Sequence, residues 1–199
     1  MHNDMILAMY SGGLDSLGMV YVLLTDEKYK NYGIHVHHVS IHNVENRASA
    51  EKHAVANTLR WFKTHCRKFE YSESMIGFNA YNEKFLYDSD VTNFFGGYIA
   101  SCSDTIKHVA WGVSADDLQD TSLASRNERS LKIFHSFTDA EKIRPLSEMT
   151  KLEIYDMLPE DLREMAWSCR HPKYFNKIPV RCGECKTCEA LDKIIRPTG

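Results

Sequence analysis

No stretch of this chain approaches the ~18 consecutive apolar residues that a membrane-spanning helix needs. The N-terminal MHNDMILAMYSGG has neither a basic flank nor a small-residue cleavage site. No secretory leader is therefore expected, and the expected location is the cytoplasm. No block of five like charges occurs, and 24 basic against 27 acidic residues leave a formal charge of −3. A surface that tracks a phosphate backbone normally shows a basic stripe. Its lack argues against nucleic acid as a partner but not against a small anion, which needs only a few local cations. Neither G-x-x-x-x-G-K-[ST] nor a helix-opening G-x-G-x-x-G is spelled here, which excludes a Walker loop and a dinucleotide fingerprint. Internal repeats and low-complexity linkers are also lacking.

What is present is an ordinary globular composition, 43% apolar and 26% charged over 199 residues. A chain of this length buries about 70% of its unfolded surface, enough for one domain with a small appendage. Met5–Tyr10 is a continuous apolar run that suits a strand buried on both faces of a parallel sheet. It ends in Ser-Gly-Gly-Leu-Asp-Ser, then an apolar helix over Leu17–Leu24 and a second strand over Gly33–Ile41. That order is a βαβ unit.

Helical spacing of Val44, Ala48, Val55, Leu59 and Phe62 predicts an amphipathic helix over 44–63. A short strand around Phe69 and Tyr71, a helix over 95–105 and a strand over 108–113 follow. Residues 116–129 are polar and read as an irregular loop over a site. Thr150 and Glu153 form a capping box with Lys151 in the first helical turn; that helix should end near Pro159, and a short last helix should reach Ile195. The expectation is an α/β fold, a three-layer parallel sheet with flanking helices. Its boundary separates a nucleotide-binding domain, 1–165, from a metal-clamped segment, 166–199.

Ser11-Gly12-Gly13-Leu14-Asp15-Ser16 lies between the first strand and its helix. Paired glycines admit positive φ, so successive N–H groups can converge into a nest for an anion beside a helix N-terminus. Four of the six cysteines, Cys169, Cys182, Cys185 and Cys188, follow the spacing C-x12-C-x2-C-x2-C. In a chain without a leader this reads as a metal site rather than disulfides. Four thiolates suit a closed tetrahedral zinc site, structural because no position is left for water. One bound Zn²⁺ would move the net charge from −3 to −5, four thiolate charges against two on the ion. An iron–sulfur centre is the rival, although the chain continues Glu189-Ala-Leu-Asp192 where the bacterial ferredoxin pattern wants x3-C-P.

The loop Ser11–Ser16 resembles the SGGxDS loop of the PP-loop ATP pyrophosphatases. With Trp167-Ser-Cys169, Cys182-Gly-Glu-Cys185-Lys-Thr-Cys188, Pro145-Leu146, Thr150-Lys151 and Gly112-Val-Ser-Ala115 with Asp117, the whole chain resembles the 7-cyano-7-deazaguanine synthases. The resemblance implies an adenine-nucleotide α-hydrolase-like fold and an AMP-forming ligase. It would use ATP with Mg²⁺ to join 7-carboxy-7-deazaguanine and ammonia through an adenylate and an amide to the nitrile. Under it Ser11–Ser16 wrap pyrophosphate, and Asp15 supports the loop or the Mg²⁺ ion. Lys151 meets a phosphate, Asp117 is preferred over Asp116 beside the ion, and Gly112 and Arg126 line the site. A homodimer is implied too. No glutaminase segment is present, so ammonia is expected free or partner-supplied.

The chain departs from that family in the loop after the fourth strand, Asp120-Thr-Ser-Leu-Ala-Ser-Arg126, and at Leu17, Arg170 and Leu191. Arg126 and Arg129 are either substrate-carboxylate ligands or surface charges. His35 and His37 share a strand face and read as strand histidines at the site's edge rather than metal ligands. Trp167 reads as packing under the cysteine loop rather than as a purine platform. Two alternatives stay open: adenylation that stops at the amide or serves another carboxylate, and a zinc-knuckle nucleic-acid binder.

Overall fold

The computed structural model describes residues 4–77, 87–120 and 124–195. A five-stranded parallel sheet has the order β3-β2-β1-β4-β5, built from β1 (Met5–Tyr10), β2 (Gly33–His42), β3 (Glu70–Gly77), β4 (Ile106–Trp111) and β5 (Glu141–Ile143). The apolar run of β1 is central because its alternation serves both faces. Ile6, Ala8 and Tyr10 pack on one side with Leu17, Val20 and Phe62; Leu7 and Met9 pack on the other with Val109, Trp111 and Phe134. Each fully buried aliphatic or aromatic side chain stabilises the fold by roughly 1.5–3 kcal/mol. Edge strand β3 instead alternates exposed and half-buried positions.

Helices α1 (Leu14–Thr25) and α2 (Ala48–His65) cover the first face, and α3 (Asp88–Ser101) the second. Residues 116–129 differ from the loop expected there. The Ser114 hydroxyl and the Asp117 carboxylate form a capping box that starts α4 (Ala115–Gln119), and α5 (Ala124–His135) follows. Polar residues suit α5 because, over residues 125–135, Ser130 and Phe134 alone are buried. Thr121, Ser122 and Leu123, part of the divergent loop, lie outside the described residues.

The second capping box forms as expected: Thr150 accepts from the Glu153 N–H and starts α6 (Lys151–Met157), which stops before Pro159, and α7 (Glu160–Arg163) follows. A hairpin of β6 (Lys173–Phe175) and β7 (Ile178–Val180) turns through Asn176 and Lys177, both at positive φ, as a two-residue hairpin turn requires. The last helix is α8 (Lys186–Ile195).

The chain runs outward from β1 to β3 and returns on the other side through β4. The crevice between the C-terminal ends of β1 and β4 is thus a topological switch point, where open α/β sheets take ligands. The glycine loop leaves β1 there, and Gly112 leaves β4 beside it.

Candidate nucleotide site and cysteine cluster

The loop between β1 and α1 is held by its own side chains. Gly12 has φ +82°. The Ser16 hydroxyl donates to the Gly13 carbonyl at 3.0 Å, accepts from the Ser11 N–H at 3.2 Å and lies 2.9 Å from Ser11 Oγ. Gly112 presses against this loop: a Cβ there would lie 2.5 Å from the carbonyl carbon and oxygen of Asp15 and 2.6 Å from the Ser16 nitrogen.

Behind the loop, Lys151 bridges two carboxylates, with Nζ 3.2 Å from Asp15 Oδ2 and 2.9 Å from Asp117 Oδ1. Asp116 accepts the Lys151 backbone N–H at 2.7 Å. The two members of the Lys151–Asp15 pair respond unequally. Burial, helped by the nearby Asp117 charge, pushes Asp15 above the usual carboxylate range even though Lys151 pulls it down. For Lys151 burial works toward loss of the proton, but the two carboxylates outweigh it and raise its pKa. Lys151 is therefore a firmly charged group that sets the position of Asp15.

A cavity of about 300 Å³ opens over the loop, lined by Ser11, Gly13, Leu14, Asp15, Ser16 and Gly112 together with His37, Trp111, Trp167 and Ser168. Lys151 and Asp117 stand behind it rather than in its wall, and Arg126 lies elsewhere. Four residues of its lining carry a buried polar atom with neither a hydrogen bond nor an ion pair: Asp15 Oδ1, His37 Nε2, Ser89 Oγ and Trp111 Nε1. Because buried polar atoms are almost always hydrogen-bonded, their convergence on one cavity marks a place for a polar ligand.

One wall is an ion network that sequence reasoning missed. Arg47 pairs with Glu45 at 2.9 Å and Glu51 at 3.1 Å, and also with Asp88; Arg170 pairs with Glu45 at 2.9 Å and Asp88 at 3.1 Å. The signal was the unusual burial of Arg47 and Glu51, which no periodicity reveals. Burial raises the Glu51 carboxyl to about 7, against the pull of Arg47. A carboxyl raised on folding holds its proton more tightly in the native state. Its contribution is therefore present at low pH and lost as pH rises from its ordinary value of 4.5 to about 7. Glu51→Gln is expected to remove that slope. In urea unfolding, the variant should lose less stability than wild type between about pH 5 and about pH 8.

A larger cavity, about 1290 Å³, shares Asp88, Ser89 and Arg170 with the first and contains Arg126, Arg129, Tyr87 and Phe94. Arg129 is committed to the buried Asp90, with contacts of 3.0 and 2.7 Å. Arg126 lies 5.4 Å from the Tyr87 ring centroid, with its Nε unpartnered.

The four cysteines converge, with all their sulfur atoms within 4.8 Å of one another; among the described residues no other histidine, cysteine or acidic group joins a cluster of this kind. Gly183, at φ +79°, makes the knuckle turn. Without a cation the thiols diverge: burial pushes Cys169 up to about 12. Cys185 falls to about 5 although burial opposes this, because Thr187 and backbone donors stabilise its thiolate. A cation resolves that conflict by holding all four as thiolates. The segment is tied to the glycine loop. The Trp167 N–H donates to the Gly12 carbonyl at 2.8 Å, the Leu14 N–H to Ser168 Oγ at 3.3 Å, and Trp167 Nε1 to the Cys169 carbonyl at 3.0 Å. Trp167 is thus a strap between metal segment and loop, more than the packing expected of it.

No protein-family model and no curated protein matches the sequence. Among solved structures the chain is similar to "U34-tRNA thiolase NcsA from Methanococcus maripaludis with its [4Fe-4S] cluster" at a TM-score of 0.52 and 19% identity. The match covers 98% of this chain and spans 66% of the length of that one. At that identity the likeness shows the fold. It agrees with the expected parallel α/β architecture, and the cysteine cluster is able to hold a metal. Among the described residues no helix is long and apolar enough to cross a membrane.

Proposed function

We propose that the chain is an AMP-forming carbon–nitrogen ligase. The observation that carries this reading is the cavity at the switch point, where the self-braced Ser11–Ser16 loop faces residues with unpartnered buried polar atoms. In this reading, residues 1–165 bind the nucleotide and 166–199 form a metal-binding segment packed on them. The loop and the N-terminus of α1 hold pyrophosphate as it departs from the α-phosphate. The substrate carboxylate attacks that phosphorus, an amine then attacks the acyl carbon, and AMP leaves. No side chain is the nucleophile; the protein aligns the reactants and neutralises charge. The free Oδ1 of Asp15 is a hard oxygen donor suited to Mg²⁺, which neutralises phosphate charge when bound with ATP. Lys151 and Asp117 hold Asp15 in place.

For the cysteines we favour zinc. Four sulfurs at ~2.3 Å from one tetrahedral ion lie ~3.8 Å apart, and the Cys182–Cys188 sulfur separation is 3.9 Å. A four-iron cluster binds each thiolate to a different iron and needs a wider cage.

The acceptor we favour is 7-carboxy-7-deazaguanine, on the motif resemblance at both ends of the chain, with ammonia as the amine and the nitrile as final product. The divergent stretch after Gly112 supports the alternative that the reaction stops at the amide. The test is to incubate the protein with this acid, ATP, Mg²⁺ and ammonia and follow products by mass spectrometry. The expected result is AMP and pyrophosphate with amide that converts to nitrile. Amide that accumulates under excess ATP identifies the shorter reaction, and ADP as product rejects the class.

A further inference from the structure

The mechanism leaves one problem unsolved. When ammonia displaces AMP from an acyl-adenylate, the C–N bond forms, the C–O bond breaks with its electron pair leaving on AMP, and one proton must go. The loop serines brace the turn, Lys151 is already charged, Asp15 and Asp117 are both ion-paired to Lys151, and Asp117 stands outside the cavity wall.

A group of residues that starts in the wall of the same cavity, at His37, fits the task. Ser72 Oγ lies 2.7 Å from His35 Nε2 and 2.7 Å from His37 Nδ1. The three residues belong to adjacent strands, His35 and His37 on one face of β2 and Ser72 opposite His37 on β3. A hydroxyl has one proton, so it donates to one imidazole and accepts from the other; the bridge is directional. His37 is 2% exposed, and its far nitrogen, Nε2, has no partner and belongs to a side chain that lines the nucleotide cavity. His35 is half-buried and stands beside Glu70 on the edge strand. The chain therefore begins at the buried, unpartnered Nε2 of a side chain that lines the site and ends nearer solvent.

Resting on the ligase reading, we propose that His37, Ser72 and His35 form a proton-transfer chain that removes the proton released when the amine attacks the acyl-adenylate. His37 Nε2 accepts the proton, Nδ1 passes its own to Ser72, Ser72 passes its own to His35 Nε2, and His35 releases one to water. His37 is neutral before and after the transfer, which suits a side chain packed under Phe95 with a ring-centroid distance of 6.4 Å. His38 takes no part: its Nδ1 is bonded to the Tyr10 carbonyl at 2.9 Å. The preceding step, carboxylate attack on ATP, releases no such proton, so the chain should matter to one half of the reaction only.

That asymmetry is the test. Acid-dependent exchange of labelled pyrophosphate into ATP reports adenylation; ammonia-dependent amide formation reports both halves. Ser72→Ala should slow amide formation about 100-fold or more beyond its effect on exchange, the lower end of what a positioned proton acceptor contributes. Hydroxylamine, whose adduct sheds its proton to water more readily, should restore most of the lost rate. Equal slowing of both reactions, or no slowing of amide formation, overturns the proposal. Nitrogen–proton correlation spectra of the histidine rings in the free protein test the bridge independently of turnover. His37 should be a single tautomer with its proton on Nδ1, and Ser72→Ala should lift that preference. A proton fixed on Nε2 overturns the chain outright. If wild-type protein shows no exchange with 7-carboxy-7-deazaguanine, the ligase reading falls and takes the relay's role in aminolysis with it. The tautomer spectra separate that failure from failure of the bridge.

Discussion

Gly112→Ala is expected to leave the sheet folded and to reduce acid-dependent pyrophosphate release by about 100-fold or more, the scale on which a displacement of ~1 Å is felt at a reacting centre. A methyl group at that position would fall 2.5 Å from Asp15 C and O and 2.6 Å from Ser16 N. These are backbone atoms in the first turn of α1, so no side chain can swing away. Either the end of β4 or the start of α1 must move, and β4 is held as an inner strand paired on both sides, with Val109 and Ala110 wholly buried, so the start of α1 yields. Overpacking of this kind costs typically 1–3 kcal/mol, a loss that a domain with this core survives. The loss of activity comes from geometry: the loop serines and Asp15 are displaced together. Calorimetry with Mg·ATP and pyrophosphate release on the same preparation separate the two effects. A variant that folds, binds nucleotide and turns over within about threefold of wild type would show that the strand β4 exit does not set the loop, and the cavity assignment would fall with it.

The parts of this site that were legible in the sequence are those written in local spacing. The apolar run ending in two glycines announces strand, turn and helix within a dozen residues, and the C-x2-C steps force three sulfurs onto one knuckle. The capping pair Thr150 and Glu153 is equally local, and it forms as spelled. What the sequence hid is long-range.

The resemblance implies that Lys151 meets a phosphate. Its side chain also reaches back across the fold to Asp15 and Asp117, contacts that no spacing encodes. The polarity of 116–129 hides its helices: α4 has no buried residue, and a single buried edge on α5 is enough to hold a polar helix against α3. The histidines of β2 were noticed as a face but not as a chain, since Ser72 arrives from β3 and only strand register brings it opposite His37. Arg170 illustrates the same limit. It replaces the tyrosine usual at that place in the family the sequence resembles. Its role, closing an ion network with Glu45 and Asp88, appears only when the C-terminal segment is seen against the start of α3.

With a metal bound by the four cysteines, as proposed, stripping it is expected to silence the proposed nucleotide site as well as to loosen the C-terminal segment. The segment from Trp167 onward has only a small core of its own, with two three-residue strands, a ten-residue helix and exposed Phe175, Ile178 and Val180; its other ties to the body are the Arg170 ion pairs and the packing of Leu191 and Ile194. Apparent metal-binding free energies of about 10–16 kcal/mol in small zinc peptides show how completely such a segment can depend on its ion. Here the consequence travels, because the residues just before Cys169 are partners of the phosphate loop. Losing the order of Trp167 and Ser168 removes the hydrogen bond to the Gly12 carbonyl and the hydroxyl that receives the Leu14 N–H. Gly12 stands at positive φ in the middle of the anion cradle, so its carbonyl anchor helps fix the direction of the neighbouring N–H groups.

Chelation, or Cys185→Ser, should therefore raise hydrogen exchange in residues 166–195 and in 11–17 together, and lower both Mg·ATP affinity and pyrophosphate release by at least tenfold. Zinc added back to the chelated protein should restore all three readings, while the Cys185→Ser protein should stay impaired. Protection that collapses only after residue 166, with full turnover retained, would mean that the strap through Trp167 carries no functional load. The metal would then be a remote staple, as a structural site read from cysteine spacing alone would suggest.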